Sequence, residues 1–376
     1  MEIKSMRNGN IHSVIIGFKN APGRSDVDFI NNNGGIVKRT YKIIKAISAD
    51  IPEESMDIIE KSPNVEYVEN DEKVFAHIPI GTCQEMQILE QKVPWGIKRI
   101  GSRLVNAAGN TGKGIKVGIL DTGIDYNHED LKGNYKGGYN FVNNNNNPMD
   151  DNGHGTHISG TIAAEDNDIG VVGVAPQAYL YSVKVLAFDS TGSVSDIVSG
   201  LEWSVENSMQ VINMSLGSDD NSISVSRAVE NTCNAGVLII AAAGNSGNAI
   251  GHGDNIDYPS RYSSVVSVGA TNVNDKRASF SSTGPSLELS APGVDILSTL
   301  NGGINKYGTL SGTSMASPHV TGVAALIIAN EPGIANTRVR IRMQATTEKM
   351  SNVTGGFSAK EWYGYGLIDA VKSVSL

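Results

Sequence analysis

Apolar and polar positions divide the chain into two stretches of different rhythm. In the first, His12 to Phe18 is a β-rich run that stops at the turn-forming Asn20-Ala21-Pro22-Gly23. Ser25 to Asn33 reads as a helix capped by Ser25 and closed by Gly34-Gly35. Ile36 to Ile51 holds two strand-like stretches able to pair as a hairpin. Pro52 suits the first turn of a second helix, which runs through Ile58 and Ile59 to Ser62-Pro63. Val65-Glu66-Tyr67-Val68-Glu69 alternates like a last strand. The order βαββαβ predicts a small α+β, ferredoxin-like unit over residues 1–74. Over 75–92 the pattern dissolves into a linker.

From 93 to 376 the rhythm changes. Continuous apolar runs, Ile115–Leu120, Tyr179–Leu186, Val211–Met214, Val237–Ala243 and Val265–Val268, alternate with helical segments. Strands that are apolar throughout are covered on both faces, so this stretch predicts an α/β domain with a parallel sheet between two helical layers. In such sheets the chemistry gathers at the carboxyl ends of strands.

Composition narrows the possibilities. A length of 376 residues leaves room for both units, and 40% hydrophobic residues with 18% charged exclude a disordered chain. The formal charge of −9 argues against nucleic acid or an anionic membrane as partner and leaves cations open as ligands. No apolar run approaches the roughly 18 residues of a membrane span. Cys83 and Cys233 are too few for a disulfide framework or a thiolate zinc site, and their pairing is not expected. Met1 to Arg7 has no apolar segment behind its charges, so no signal peptide is expected from it.

Three polar clusters stand at element ends. Asp121 follows an apolar strand in Ile119-Leu120-Asp121-Thr122-Gly123. His154, in Asn152-Gly153-His154-Gly155-Thr156-His157, opens a helix continued by Ile158 and Ile162. Ser314, in Ser311-Gly312-Thr313-Ser314-Met315-Ala316-Ser317-Pro318-His319, opens another, with Pro318 expected in its first turn. A serine hydroxyl needs a base to become a nucleophile, and an imidazole base needs an acid to fix its tautomer. Singly, each residue has a plainer reading: a turn aspartate, a structural histidine, a helix cap. His157 and His319 read as helix packing. Neither HExxH nor thiol ligands point to zinc.

The three motifs, in the order Asp…His…Ser and with Gly173-Val174-Ala175-Pro176 and Ala291-Pro292-Gly293 between them, resemble the subtilisin-like serine proteases over Val93 to Ala370. The unit before them resembles that family's propeptide, which folds on the protease, inhibits it and assists its folding. The resemblance implies a serine endopeptidase made as a self-processing zymogen, with Asp121, His154 and Ser314 as triad and Asn245 as the oxyanion side chain beside the backbone N–H of Ser314. It implies that Ser190-Thr191-Gly192 and Ser215-Leu216-Gly217 hold an extended peptide from both sides. Its first specificity pocket includes Gly244 and Asp257. Many relatives carry a small residue where Asp257 stands; Asp257 either attracts Lys and Arg side chains or is a solvated loop aspartate.

A structural Ca²⁺ is also implied, held by the side chains of Gln91, Asp130 and Asn167 and the carbonyls of Glu165, Ile169 and Val171. A ligating Gln91 puts the processing cut at or before it, nominally at Leu89–Glu90. The Asn143–Asn147 run with Asp150-Asp151 reads as a polar loop, with a weaker cation as the alternative. The expected partners are protein and peptide substrates and the chain's own propeptide as intramolecular inhibitor, the enzyme being a monomer with no nucleic-acid or membrane partner. Family resemblance suits secretion, whereas the plain N-terminus suits an intracellular protein. The competing reading is a catalytically silent pseudoprotease that binds peptides. A nucleotide-binding enzyme is excluded by the lack of G-x-x-x-x-G-K-[ST] and of a strand-linked G-x-G-x-x-G.

Overall fold

The structure, a computed structural model, describes residues 10–77, 79–88, 90–350 and 358–376. Its first unit runs β1 (Ile11–Phe18), α1 (Arg24–Asn32), β2 (Ile36–Thr40), β3 (Ala46–Pro52), α2 (Glu53–Glu60) and β4 (Val65–Asn70). The sheet order β2-β3-β1-β4, all antiparallel, is the ferredoxin-like arrangement predicted from the sequence. Val14 and Ile16 of β1 turn towards Ile30 and Ile59 of the two helices, while Ile15, between them, turns the other way. That alternation is the period-two geometry of a strand. Helix α1 is capped by Gly23, whose N–H is bound by Asp26 at 2.8 Å, and not by Ser25, which lies inside the first turn. Pro52 is likewise the cap of α2 and not its first residue.

After β5 (Lys73–Ala76) and β6 (Gln84–Met86) come α3 (Trp95–Arg99), α4 (Ser102–Ala107), β7 (Lys116–Asp121), β8 (Tyr135–Asn140), α5 (His154–Ala163), β9 (Tyr179–Lys184), β10 (Thr191–Ser193), α6 (Val194–Glu206), β11 (Val211–Met214), β12 (Leu216–Gly217), α7 (Ile223–Asn234), β13 (Leu238–Ala242), β14 (Val265–Thr271), β15 (Leu289–Pro292), β16 (Ile296–Thr299), β17 (Tyr307–Leu310) and α8 (Thr313–Asn330). A seven-stranded sheet, β15-β14-β13-β11-β7-β9-β8, is parallel throughout. Val117 and Ile119 of β7 pack with α5 and α8 on one face, and Leu120 packs with α6 and α7 on the other. From β7 the chain runs to β8 at one edge, returns through β9 and then crosses to β11 on the other side of β7, so the sheet's order switches there. The carboxyl end of such a strand opens a crevice, and Asp121 stands at it. Strands β8 and β15 were not foreseen: Tyr-Lys-Gly-Gly-Tyr-Asn has no apolar run, and Leu-Ser-Ala-Pro is too short for one.

The first unit lies on α6 and α7. Ile15, Tyr41, Ile44 and Ala46 join the apolar cluster formed by Ile197, Val198, Val225 and Ala228. Two carboxylates cap those helices from outside. Glu69 accepts from the backbone of Ile223 and Ser224, both at 2.9 Å, and from the Ser222 hydroxyl at 3.0 Å. Asp71 accepts from the N–H and hydroxyl of Ser195 at 2.8 and 2.7 Å. A helix N-terminus leaves backbone donors unpaired and carries partial positive charge, so an acidic side chain satisfies both at once.

Candidate active site

Asp121 ends β7 fully buried, and His154 begins α5. The close approach of the two elements depends on Gly155, where a Cβ would stand 2.2 Å from the carbonyl oxygen of Gly123. His154 Nδ1 donates to Asp121 Oδ1 at 2.8 Å, and the N–H of Thr122 donates to the same oxygen at 2.7 Å. Burial depresses the His154 imidazole, but the charge and hydrogen bond of Asp121 and the charge of Asp150 outweigh it and leave the pKa above its ordinary value.

Asp150 was not anticipated in this role. It accepts from the Thr122 hydroxyl and the N–H groups of Asn152 and Gly153 through one oxygen, and from the N–H and hydroxyl of Thr156 through the other. With its oxygens so engaged, and Asp151 paired to the buried Lys184 at 2.7 Å, the acidic loop has no carboxylate left for a cation. His157 and His319 are buried inside their helices. Burial, with the charge of His154, pushes His157 down to about 3, and burial pushes His319 down to about 4, so both stay neutral as the sequence suggested.

Helix α8 packs against α5 and presents Ser314 from its first turn. Pro318 lies beyond that turn, contrary to expectation. Asn245 accepts through Oδ1 from the N–H and the hydroxyl of Thr313, each at 3.0 Å, which fixes the orientation of its amide. His154 Nε2 makes no hydrogen bond among the described residues; Ser314 Oγ donates instead to the carbonyl oxygens of His77 at 3.2 Å and Ser215 at 3.3 Å.

His77 reaches Ser314 because β5 lies in the crevice as the middle strand of a three-stranded antiparallel sheet, β10-β5-β12. Phe75 and Val74 pair with Thr191 and Gly192 on one side, and Ala76 and Phe75 pair with Leu216 and Gly217 on the other. The backbone N–H groups of Ala76 and His77 donate to the carbonyls of Ser190 and Ser215 at 2.9 and 3.3 Å. Gly217 and Asp257 flank the His77 side chain, and Gly244 lies against the Asp257 carboxylate. The segments singled out for peptide binding are therefore those that surround residues 73–77. The boundary drawn at residue 74 falls within β5.

Gln91, Asp130, Glu165, Asn167, Ile169 and Val171 also converge. The amide of Gln91 reaches the carbonyl of Glu165 at 3.0 Å, that of Asn167 reaches Asp130 at 3.0 Å, and the N–H of Val171 donates to Asp130 at 2.8 Å. Burial pushes Asp130 up to about 6, against the hydrogen bonds of Val171, Asn167 and Tyr307. Gly170, at φ +56°, closes the loop so tightly that a Cβ would fall 2.2 Å from Asp130 Oδ2. The Asp130 carboxylate, the amide side chains of Gln91 and Asn167 and the loop carbonyls carry the kind of oxygen donors that a hard cation such as Ca²⁺ takes. Leu89, half of the nominal cut, lies outside the described residues. Cys83 is exposed and Cys233 half-buried, and both are free thiols.

Comparison with known proteins agrees with this geometry. Residues 112–366 match the Subtilase family and residues 15–77 match Peptidase inhibitor I9. The chain is 41% identical to Subtilisin E of Bacillus subtilis over 360 residues, covering 94% of this chain and 88% of that protein. It is 43% identical to M-protease of Shouchella clausii over 330 residues, covering 88% and 79%.

Proposed function

The chain belongs to the subtilase family of serine endopeptidases and carries an inhibitor-type propeptide, and from that premise we propose that Asp121, His154 and Ser314 are its catalytic triad, with Asn245 completing the oxyanion hole. Ser314 Oγ adds to the scissile carbonyl while His154 Nε2 takes its proton. Asp121, already bonded to Nδ1, holds the tautomer and stabilises the imidazolium. The amide nitrogen of Asn245 and the backbone N–H of Ser314 receive the negative charge as it develops on oxygen. His154 then protonates the leaving amine, and water repeats the sequence on the acyl-enzyme.

The observation that carries this reading is the seat of residues 73–77, laid down as a peptide substrate with the His77 carbonyl oxygen 3.2 Å from Ser314 Oγ. Ser190 to Gly192, Ser215 to Gly217, Gly244 and Asp257 are the substrate-binding residues. The propeptide thus ends at His77, and the first self-cleavage follows it in place of Leu89–Glu90. Residues 78–92, with Cys83, stay on the enzyme, and so does Gln91. Gln91, Asp130 and Asn167, with the carbonyls of Glu165, Ile169 and Val171, hold a structural Ca²⁺. That ion supplies a fixed positive charge balancing Asp130. The enzyme acts as a monomer on protein and peptide substrates, with no nucleic-acid or membrane partner.

Intact-mass analysis of the purified chain over time, beside Ser314→Ala, tests this. Release of an N-terminal fragment ending at His77, in the unsubstituted chain alone, is the expected result. A fragment ending at Leu89 overturns the site of the cut. An uncut chain whose Ser314 also resists a fluorophosphonate leaves the pseudoprotease.

A further inference from the structure

Resting on the reading of residues 73–77 as a bound substrate, the pocket around the His77 side chain gives the substrate class. His77 Nε2 stands 2.9 Å from Asp257 Oδ2, with the two side chains only 7% and 11% exposed. The ring N–H is not aligned for a hydrogen bond, so the pair meets at ion-pair distance without hydrogen-bond geometry. Asp257 therefore faces the pocket and is not a solvated loop residue. Its backbone is fixed there by the N–H bond to the Ala243 carbonyl at 3.0 Å.

The charge and hydrogen bond of Asp257, with some burial, push the Asp219 carboxyl above its usual range. Arg261, on the same loop, offsets that charge in part but is bound elsewhere: it donates to the carbonyl of Ile256 at 2.8 Å and pairs with Asp254 at 3.3 Å. Access to Asp257 depends on Gly217, where a Cβ would fall 2.6 Å from His77 Nε2 and 3.0 Å from Asp257 Cβ.

We infer that Asp257 selects cationic side chains, so that the enzyme cleaves after Lys, Arg and His in preference to apolar residues. An apolar side chain in this pocket would bury the Asp257 carboxylate with no counter-charge, and an acidic one would add repulsion. Rejection by leaving a buried polar group unpaired is the stronger form of discrimination, because a hydrophobic pocket gains little from one methylene more or less.

The test is a set of peptides alike but for the residue before the cut, Lys, Arg, His, Leu, Phe or Glu, given to the self-processed enzyme. The expected kcat/KM is about tenfold or more higher for Lys and Arg than for Leu and Phe, and lowest for Glu. Asp257→Asn should lower the Lys-to-Leu ratio by about tenfold or more. Should that variant not mature, the unsubstituted panel decides alone. His77→Glu in the full chain adds an independent arm, slowing release of the propeptide fragment by a similar factor. Equal or faster cleavage after Leu and Phe overturns the inference, as does an unchanged ratio in Asp257→Asn. Fluorophosphonate labelling of each preparation separates the two levels. A labelled enzyme without cation preference sinks this inference only, whereas an unlabelled enzyme that cuts no peptide sinks the active-site reading with it.

Discussion

The hydroxyl of Ser215 donates to the backbone carbonyl of Ser314 across 3.1 Å, which joins the peptide-binding edge to the nucleophile's own helix. The bond has a cause in the sequence. Pro318 has no N–H, so the Ser314 carbonyl, four residues before it, lacks its helical donor. Asn213 orients the Ser215 hydroxyl from behind at 2.9 Å. Ser215→Ala should leave that buried carbonyl unpaired, at about 1–3 kcal/mol of stability, read as a lower unfolding midpoint in the inactive Ser314→Ala chain. Pro318→Ala restores a helical donor. In that background the same substitution should cost less, and a double-mutant cycle with no coupling would dismiss the substitution of one donor for the other.

Asn245 is gripped at Oδ1 by Thr313, so its orientation does not depend on the substrate. Asn245→Ala should lower kcat by about 10²–10³, roughly 3–4 kcal/mol of transition-state stabilisation, with little change in KM. That magnitude is the one established for an oxyanion-hole asparagine in a subtilisin, not one derived from this geometry. A loss in KM alone would place Asn245 in ground-state binding.

The raised pKa of His154 sets a pH dependence. Held above the ordinary imidazole value of about 6.5 by Asp121 against the opposing effect of burial, the imidazolium persists to higher pH than usual. The charged pair stabilises the fold below that ordinary value, and this contribution is lost as pH rises through the raised one. Activity runs the opposite way, because only neutral His154 accepts the Ser314 proton. The rate of propeptide cleavage should therefore rise with pH along a limb centred above the ordinary imidazole value. Asp121→Asn should lower the rate and move the limb to lower pH. A limb at or below the ordinary value in the unsubstituted chain would contradict the assignment of base and acid.

Much of this was legible because it is local. Asp121, His154, Ser314 and Asn245 each sit in a short motif at the end of a strand or the start of a helix, and the strand runs from Val211 and Val265 were apolar enough to read directly. What escaped notice depends on residues far apart in the chain. Asp150 gains its importance from Thr122 and Thr156, and Ser215 gains its own from a proline in another element. The proposed cut after His77 escaped notice for a related reason. Residues 75–92 read as a featureless linker by composition, yet β5 is ordered by pairing with β10 and β12, partners more than a hundred positions away that periodicity cannot reveal.

Glu69 was likewise read only as a strand end, and Asp71, within the 1–74 unit, was given no role, although both hold the propeptide on α6 and α7. Charge-assisted bonds of this kind contribute roughly 1.5–3 kcal/mol each. Glu69→Gln or Asp71→Asn should therefore hasten dissociation of the cleaved propeptide by about tenfold or more. The readout is the lag before peptide hydrolysis appears after self-cleavage. An unchanged lag in both variants would assign the grip to the apolar contact of Ile15, Tyr41, Ile44 and Ala46 instead.

Removal of the cation should act on stability before chemistry, because Asp130 and Gln91 stand apart from Ser314 in the hydrogen-bonded structure. Without a counter-charge Asp130 is a buried carboxylate already pushed up to about 6, and the chain beyond the cut is tied to the Glu165 loop through Gln91. A ligand at a hundred times its Kd stabilises a fold by about 2.7 kcal/mol. EDTA should therefore lower the unfolding midpoint of Ser314→Ala by several degrees, with Ca²⁺ restoring it and Mg²⁺, which demands a tighter octahedral set, restoring less. Asp130→Asn should remove most of the response. Equal midpoints with EDTA and with Ca²⁺ in the Ser314→Ala chain would rule out a stabilising cation at this loop and leave Asp130 as an acid held by Val171, Asn167 and Tyr307.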